Sequence, residues 1–317
     1  ERIGQLFMVR GKAQEPVVQV GAGDIGAVAK LQETGTGDTL SNRDRRYALP
    51  PITFPKPIYM ASVQPKTKAD LDKMGSSLAR IVEEDPTITV HKDKDTGESI
   101  ISGMGESHVD ITAEKIKRKF GVELVLEVPR VPYKETILSH ARAEYKHKKQ
   151  TGGHGQYGHV LLEVEPLARG SGFEFAERVV GGAVPKQYIP GVEKGVREAL
   201  VEGVIAGYPV VDVKVTLFDG SYHPVDSSEM SFKLASSHAF KKGFTDANPV
   251  LLEPVMYLRI VIPDQYTGDV MGDLNTKRAK VLGMNPEDGT TIIEAHVPLA
   301  EVQRYSTTLR SITQGRG

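Results

Sequence analysis

Two polar tracts, about seventy residues apart, hold the side chains with the most to offer a partner. Lys148-Lys149-Gln150-Thr151-Gly152-Gly153-His154-Gly155-Gln156-Tyr157-Gly158-His159 places cations ahead of a glycine-rich turn. Asp219-Gly220-Ser221-Tyr222-His223-Pro224-Val225-Asp226-Ser227-Ser228-Glu229 supplies hydroxyls, carboxylates and a histidine. Glycine lets a backbone come close to a partner, and Lys, Gln and His present donors at neutral pH. Neither tract has the ligand set of a metal site or the nucleophile–base pairing of a hydrolase. The chemistry suits touching RNA rather than breaking a bond. Each tract lies where a strand pattern breaks, so the two are expected to meet at the tip of one projecting module. By turn chemistry alone His223 is a solvated turn histidine. Asp226, Ser227, Ser228 and Glu229 read as capping groups of a helix that starts there.

Other motifs carry less. Gly21-Ala22-Gly23-Asp24-Ile25-Gly26 and Gly153-His154-Gly155-Gln156-Tyr157-Gly158 both spell the dinucleotide fingerprint. That fingerprint works only as a strand–turn–helix, and the second copy runs into the strand-like His159 to Val164. Both are decoys. No G-x-x-x-x-G-K-[ST] phosphate loop occurs, so no nucleotide triphosphate is cradled in that manner and no catalytic residue is assigned. His147, His154 and His159 form the densest histidine group, but no companion ligands follow at zinc spacing.

Holding such tracts in place takes ordinary globular structure. The 317 residues suggest about two to four domains. At 39% hydrophobic and 26% charged residues, a largely disordered chain is excluded. Forty basic against 41 acidic residues give a net charge of −1, so RNA contact must rest on local charge, such as Arg142, Lys146, Lys148 and Lys149. With no cysteine there is no disulfide scaffold, and a reducing cytoplasm is compatible. No apolar run approaches the ~20 residues of a membrane span.

Residues 1 to 54 read as short strands, including 16–20 and 27–31. From 55 to 131 the order is strand, helix, strand, strand, helix, strand. The first helix stripe is Leu71, Met74, Leu78, Ile81 and Val82; the second is Val109, Ala113, Ile116 and Phe120, stopped by Gly121. Residues 253 to 317 repeat that order without the last strand. Met256 to Ile262 alternate, Val270, Leu274 and Val281 share a helical stripe, 290–297 is a strand, and Leu299, Val302, Leu309 and Ile312 mark one more helix. Between the copies, 132 to 252 form a different α+β unit. Its strands are 160–164 and 210–217. One helix follows Pro190 with Val192, Val196, Ala199 and Leu200 inward, and another buries Met230, Leu234 and Phe240. The fold class is α+β multidomain: a partial β-barrel, then two ferredoxin-like split βαβ units flanking the central one.

The two tracts closely resemble the domain IV tip loops of bacterial elongation factor G, a translational GTPase. Ile101-Ser102-Gly103-Met104-Gly105-Glu106 is similar to that family's domain III signature, and Leu309-Arg310-Ser311-Ile312-Thr313-Gln314-Gly315-Arg316-Gly317 to its domain V signature. Gly35-Thr36-Gly37-Asp38-Thr39-Leu40 resembles the end of domain II. The resemblance implies late domain II at 1–54, domain III at 55–131, a tRNA-mimicking domain IV of ribosomal-protein-S5-like type at 132–252, and an incomplete domain V at 253–317. It implies RNA-binding roles for Gln150, Gly152, Gly153, His154, Gly155, Gln156 and His223 at the tip. For Arg310, Ser311 and Gln314 it implies a place beside the sarcin–ricin loop, where the helix dipole alone would also favour a basic residue.

The expected partners are both ribosomal subunits, ribosomal RNA and the tRNA–mRNA of the decoding site. A cytoplasmic monomer is implied, with GTP and magnesium belonging to a GTPase domain outside this chain. The resemblance implies tRNA–mRNA translocation. Alternatives are a paralogue for ribosome recycling or stress-related ribosome binding, or a stand-alone RNA-binding scaffold. Two positions depart from the family, and the second points to a paralogue. His154 replaces a common arginine, lowering permanent charge by about one unit at neutral pH, and Gln303-Arg304-Tyr305-Ser306 replaces Phe-Gly-Tyr-Ala.

Overall fold

In the computed structural model, which describes residues 1–150 and 155–317, packing divides the chain into two units. One comprises Glu1–Asp93 and Glu98–Pro129, the other Lys94–Gly97 and Arg130–Gly317.

The first unit opens with β1 (Leu6–Arg10), β2 (Ala13–Val17) and β3 (Ala27–Val28), an open sheet of order β2-β1-β3 rather than a closed barrel. Gly11, at φ 59°, makes the β1–β2 turn, so pairing starts at Ala13 and the second strand ends at Val17, earlier than its valines suggest. Val18 is fully exposed. Then come β4 (Tyr59–Pro65), α1 (Leu71–Glu84), β5 (Thr89–Lys92), β6 (Ser99–Gly103), α2 (Glu106–Phe120) and β7 (Leu124–Glu127), with sheet order β5-β6-β4-β7. α1 buries Met74, Leu78 and Ile81, while Leu71, at the helix start, is exposed. The helix gives way at Asp85, whose backbone is already extended ahead of Pro86. α2 ends as expected at Gly121, left-handed at φ 70°. Val63, Ile81, Ile101 and Ile116 are at most 1% exposed, each worth about 1.5–3 kcal/mol of burial.

The second unit holds two cores. The larger is built by β8 (Lys134–Ile137), β9 (Ala141–Lys149), β10 (Gln156–Pro166), β11 (Phe173–Glu177), α3 (Ile189–Glu202), β12 (Val213–Ser221), α4 (Glu229–Asp246) and β13 (Pro249–Leu252). The main sheet runs β11-β12-β10-β9. Val160, Leu162, Val164, Val215 and Leu217 pack with Phe232, Phe240 and Phe244 from α4. The helix pattern misjudged α4: Met230 is exposed and Leu234 only partly buried, while Phe232, Ala235, Ala239 and Phe240 are inside. The buried face needs small residues because α3 lies close, and small polar residues do not register in an apolar stripe. A Cβ at Gly195 would stand 2.2 Å from the Lys233 carbonyl oxygen.

The smaller core joins β14 (Val255–Pro263), α5 (Thr267–Thr276), β15 (Lys280–Glu287), β16 (Thr290–Pro298), α6 (Leu299–Val302) and α7 (Tyr305–Ile312), with sheet order β14-β16-β15. Val281 is on β15, opposite Ala295, not on the preceding helix, which has ended at Thr276. Arg278, at φ 54°, turns the chain out of helical phase there. The last helical stripe is two helices rather than one, with Tyr305 buried at the start of the second. Among the described residues no helix is long and apolar enough to cross a membrane.

Candidate nucleic-acid interface

The tip is built on the β9–β10 hairpin, which pairs Lys149 with Gln156, Lys148 with Tyr157 and His147 with Gly158. Gly158 faces the first turn of α4: a Cβ there would stand 2.5 Å from the Ser231 carbonyl oxygen, so only glycine lets strand and helix meet. β12 runs alongside β10 up to Ser221, opposite His159. The chain then turns through 222–228 into α4, and the second tract is carried to the first.

Among the hydrogen bonds that fasten them, three lie at the turn itself. Gly155 N donates to Asp226 Oδ1 at 2.9 Å, Tyr157 N to the Asp226 carbonyl at 2.8 Å, and Ser227 Oγ to the Tyr157 carbonyl at 3.0 Å. Asp226 is therefore a bridge between the tracts, not a helix cap. The cap is Ser228, whose Oγ accepts from Ser231 N at 3.2 Å. Glu229 is no cap either; its side chain lies against Gly191 of α3.

His223 is half-exposed and held by its neighbours. Its backbone N–H donates to Ser227 Oγ at 2.9 Å, and its Nδ1 accepts from the amides of Asp226 and Val225 at 3.2 and 3.4 Å. A neutral ring so placed carries its proton on Nε2, free to donate to a partner. Nδ1 is also 3.3 Å from Asp226 Oδ2. Tyr157 lies below, with ring centroids 6.2 Å apart, and Lys146 Nζ sits 5.3 Å over the Tyr157 ring. His147 Nε2 meets Gln156 Oε1 at 3.0 Å. The result is a shallow pocket of about 170 Å³ lined by Lys148, Lys149, Gln150, Gln156, Tyr157, His223 and Asp226.

Of the expected tip residues, Gln150, Gly155, Gln156 and His223 thus come together, while Gly152, Gly153 and His154 lie outside the described residues. Arg310, Ser311 and Gln314 stand elsewhere, exposed at the end of α7 on the smaller core. There the Gly315 amide bonds the Arg310 carbonyl at 2.7 Å and Gln314 takes φ 53°, a left-handed close to the helix. Sequence reasoning passed over the bridging role of Asp226 and the Tyr157–Lys146 pair. The glycine at Asp226's partner position was the available sign, because a Cβ at Gly155 would crowd the Asp226 carboxyl at 3.0 Å. The pocket offers donors, a ring and cations, with one acid already engaged. Among the described residues no three His, Cys, Asp or Glu side chains are grouped to hold a metal ion.

Models of one known family match most of the chain. The model of elongation factor G domain IV matches residues 129–248, that of domain III residues 54–128, and that of the elongation factor G C-terminus residues 250–317. An elongation factor G-like protein of Thermotoga maritima is 49% identical over 318 aligned residues, covering 100% of this chain and 47% of that protein. A crystal structure of a Thermus thermophilus protein superposes with a TM-score of 0.75 at 38% identity, covering 98% of this chain and 47% of the other. The chain spans about half the length of these relatives.

Proposed function

Because the chain belongs to the elongation factor G family, with three of its domain models adjoining across residues 54–317, we propose that it is the ribosome-binding part of a translation factor that promotes tRNA–mRNA translocation. The carrying observation is that Asp226 fastens the two tracts into one donor-rich tip on which the His223 ring is half-exposed with its Nδ1 already engaged. On this reading the tip enters the decoding A site and meets the shallow minor groove of the codon–anticodon helix. Shape and 2′-hydroxyls are read there rather than base identity, which suits an imidazole N–H, an amide and lysines. Residues 253–317 bring Arg310, Ser311 and Gln314 to large-subunit RNA, and residues 55–131 couple the tip to a GTPase domain that uses GTP and magnesium. The factor works as a cytoplasmic monomer, and its action is steric: a tip occupying the vacated site blocks return of the tRNA.

In the full-length protein, His223→Ala or Gln150→Ala should slow tRNA–mRNA movement by about tenfold, the rate equivalent of ~1.4 kcal/mol from one good hydrogen bond. Ribosome-stimulated GTP hydrolysis should stay nearly unchanged. Pre-steady-state movement and phosphate-release assays measure the two, and loss of hydrolysis with movement spared would refute the division of labour. The departure at 303–306 favours a second reading, a recycling or stress paralogue. Subunit-splitting activity without translocation by the same protein would establish it.

A further inference from the structure

The face of the main sheet turned away from α3 and α4 holds a charge cluster that the tip does not use. Glu163 on β10 is only 7% exposed. Its Oε1 accepts from His140 Nε2 at 2.7 Å and from Arg142 Nε and Nη2 at 3.2 and 3.0 Å, while its Oε2 accepts from Arg178 Nη2. Arg142 stands opposite Glu163 on β9, and Arg178 follows β11, tied by its amide to the Leu217 carbonyl. A bulge in β12 between the partners of Leu161 and Leu162 places Phe218 beside them, with the Arg142 guanidinium 5.3 Å over its ring.

One cation would neutralise a buried carboxylate; this one has two guanidiniums and an imidazole, leaving at least one surplus positive charge. On the same face Glu174 pairs with Lys214, and Glu144 Oε1 lies 2.8 Å from His159 Nε2. Asp219 caps the neighbouring Gly220 amide. Glu165, two residues further along β10, limits the positive patch to the Phe218 side. Both guanidiniums are nearly two-thirds exposed, at 65% and 63%, although their inner edges are fixed. Arg142 Nη1 and Arg178 Nε and Nη1 take no part in the bonds to Glu163.

We infer that Arg142, Arg178 and His140, locked by buried Glu163, form an anion site for the phosphate backbone of RNA, separate from the tip. A guanidinium fork fits phosphate in two-point fashion, and a fork already ordered loses little freedom on binding. RNA is favoured over an acidic peptide because β9 carries Lys146 on the same face as Arg142. Lys146 covers the Tyr157 ring as Arg142 covers Phe218, so cation-on-ring pairs recur along the strand at a spacing of about 13 Å. Rings and cations in a row suit a strand of stacked bases and regular phosphates.

The test is binding of the 317-residue chain to labelled single-stranded polyuridine, by anisotropy across a salt series. Arg142→Gln/Arg178→Gln is made in a Glu163→Gln background, so that no buried carboxylate is left unpaired, and folding is checked by thermal melting. The slope of log affinity against log salt should shrink by about 1.4, or ~0.7 for each of two phosphate contacts. Arg142→Lys/Arg178→Lys should keep most of the slope yet bind severalfold more weakly, the fork being lost. An unchanged slope in the folded triple variant overturns the inference, as does polyglutamate displacing the RNA at equal charge concentration. Lys148→Gln/Lys149→Gln reports the tip separately, so either site can fail without the other.

Discussion

Asp226 gives the tip its geometry through two atoms. Its Oδ1 holds the Gly155 amide and its carbonyl holds Tyr157. Asp226→Asn retains a carboxamide oxygen in the same place, whereas Asp226→Ala leaves the Gly155 amide open. Amide exchange at Gly155 should therefore quicken by about tenfold in the alanine variant, the value of one ~1.4 kcal/mol hydrogen bond, and little in the asparagine variant. Glu135 is the second informative residue. Burial by itself would raise its carboxyl pKa, but N–H groups of Ile205, Ala206, Val204 and Tyr208, at 2.7–3.1 Å, overcome this and hold it below the ordinary 4.5. With the folded value depressed, this stabilisation is full above about pH 4.5 and is lost as pH falls through the folded value. Glu135→Gln should cost about 3 kcal/mol at pH 7 and less below pH 4, read by calorimetry of the larger core's transition. Neither role was read from the sequence. A glutamate in Lys134-Glu135-Thr136 carries no mark that a loop seventy residues on will fold around it, whereas His223 stood out only through resemblance.

Helices and strands were legible where one face is apolar and the other wet. α1 and α2 followed their stripes, and proline and glycine ended them where expected. Reading failed where neighbours, not water, choose the residues. α4 shows Met230 to solvent and packs Ser231, Ala235, Ser236, Ala239 and Gly243 inward, with Ser236 against α3 and Ser231 and Gly243 against the sheet. β11 and β15 were missed altogether: one is short and lies at the sheet edge, and the other has a register shift between Val281 and Gly283 that interrupts its alternation. The α3–α4 contact gives an element-scale test. Gly195→Ala places a methyl 2.2 Å from the Lys233 carbonyl and 2.3 Å from Ser236 Oγ, neither of which can swing clear at no cost. The expected loss is about 1–3 kcal/mol, seen as a lower melting temperature of the larger core. Gly268→Ala, with nothing within 4 Å of the added carbon, should change little.

Across the whole molecule, the legible feature was recurrence: strand, helix, strand, strand, helix appears twice, and among the described residues the second copy's sheet has three strands where the first has four. The two copies now differ in one measurable respect. β4 is paired on both sides, by β6 and β7, whereas among the described residues β14 is paired only by β16. Backbone amides along Val255–Pro263 should therefore exchange faster than those along Tyr59–Pro65 in the 317-residue chain. Equal protection would mean that something in solution covers the open edge of β14.

Gly158 carries one more consequence. Because no side chain separates β10 from the backbone of Ser231, the hairpin rests directly on the amino-terminal end of a helix running from Glu229 to Asp246. A soft layer of rotatable side chains would yield under a push along the strands; two backbones in contact do not. α4 lies along the strands, with Gly243 against Val164 and Ala143 toward its far end as Ser231 is against Gly158 at its near one, so a load on the hairpin end is shared sideways between strand and helix, and a larger residue at 158 would wedge the two apart.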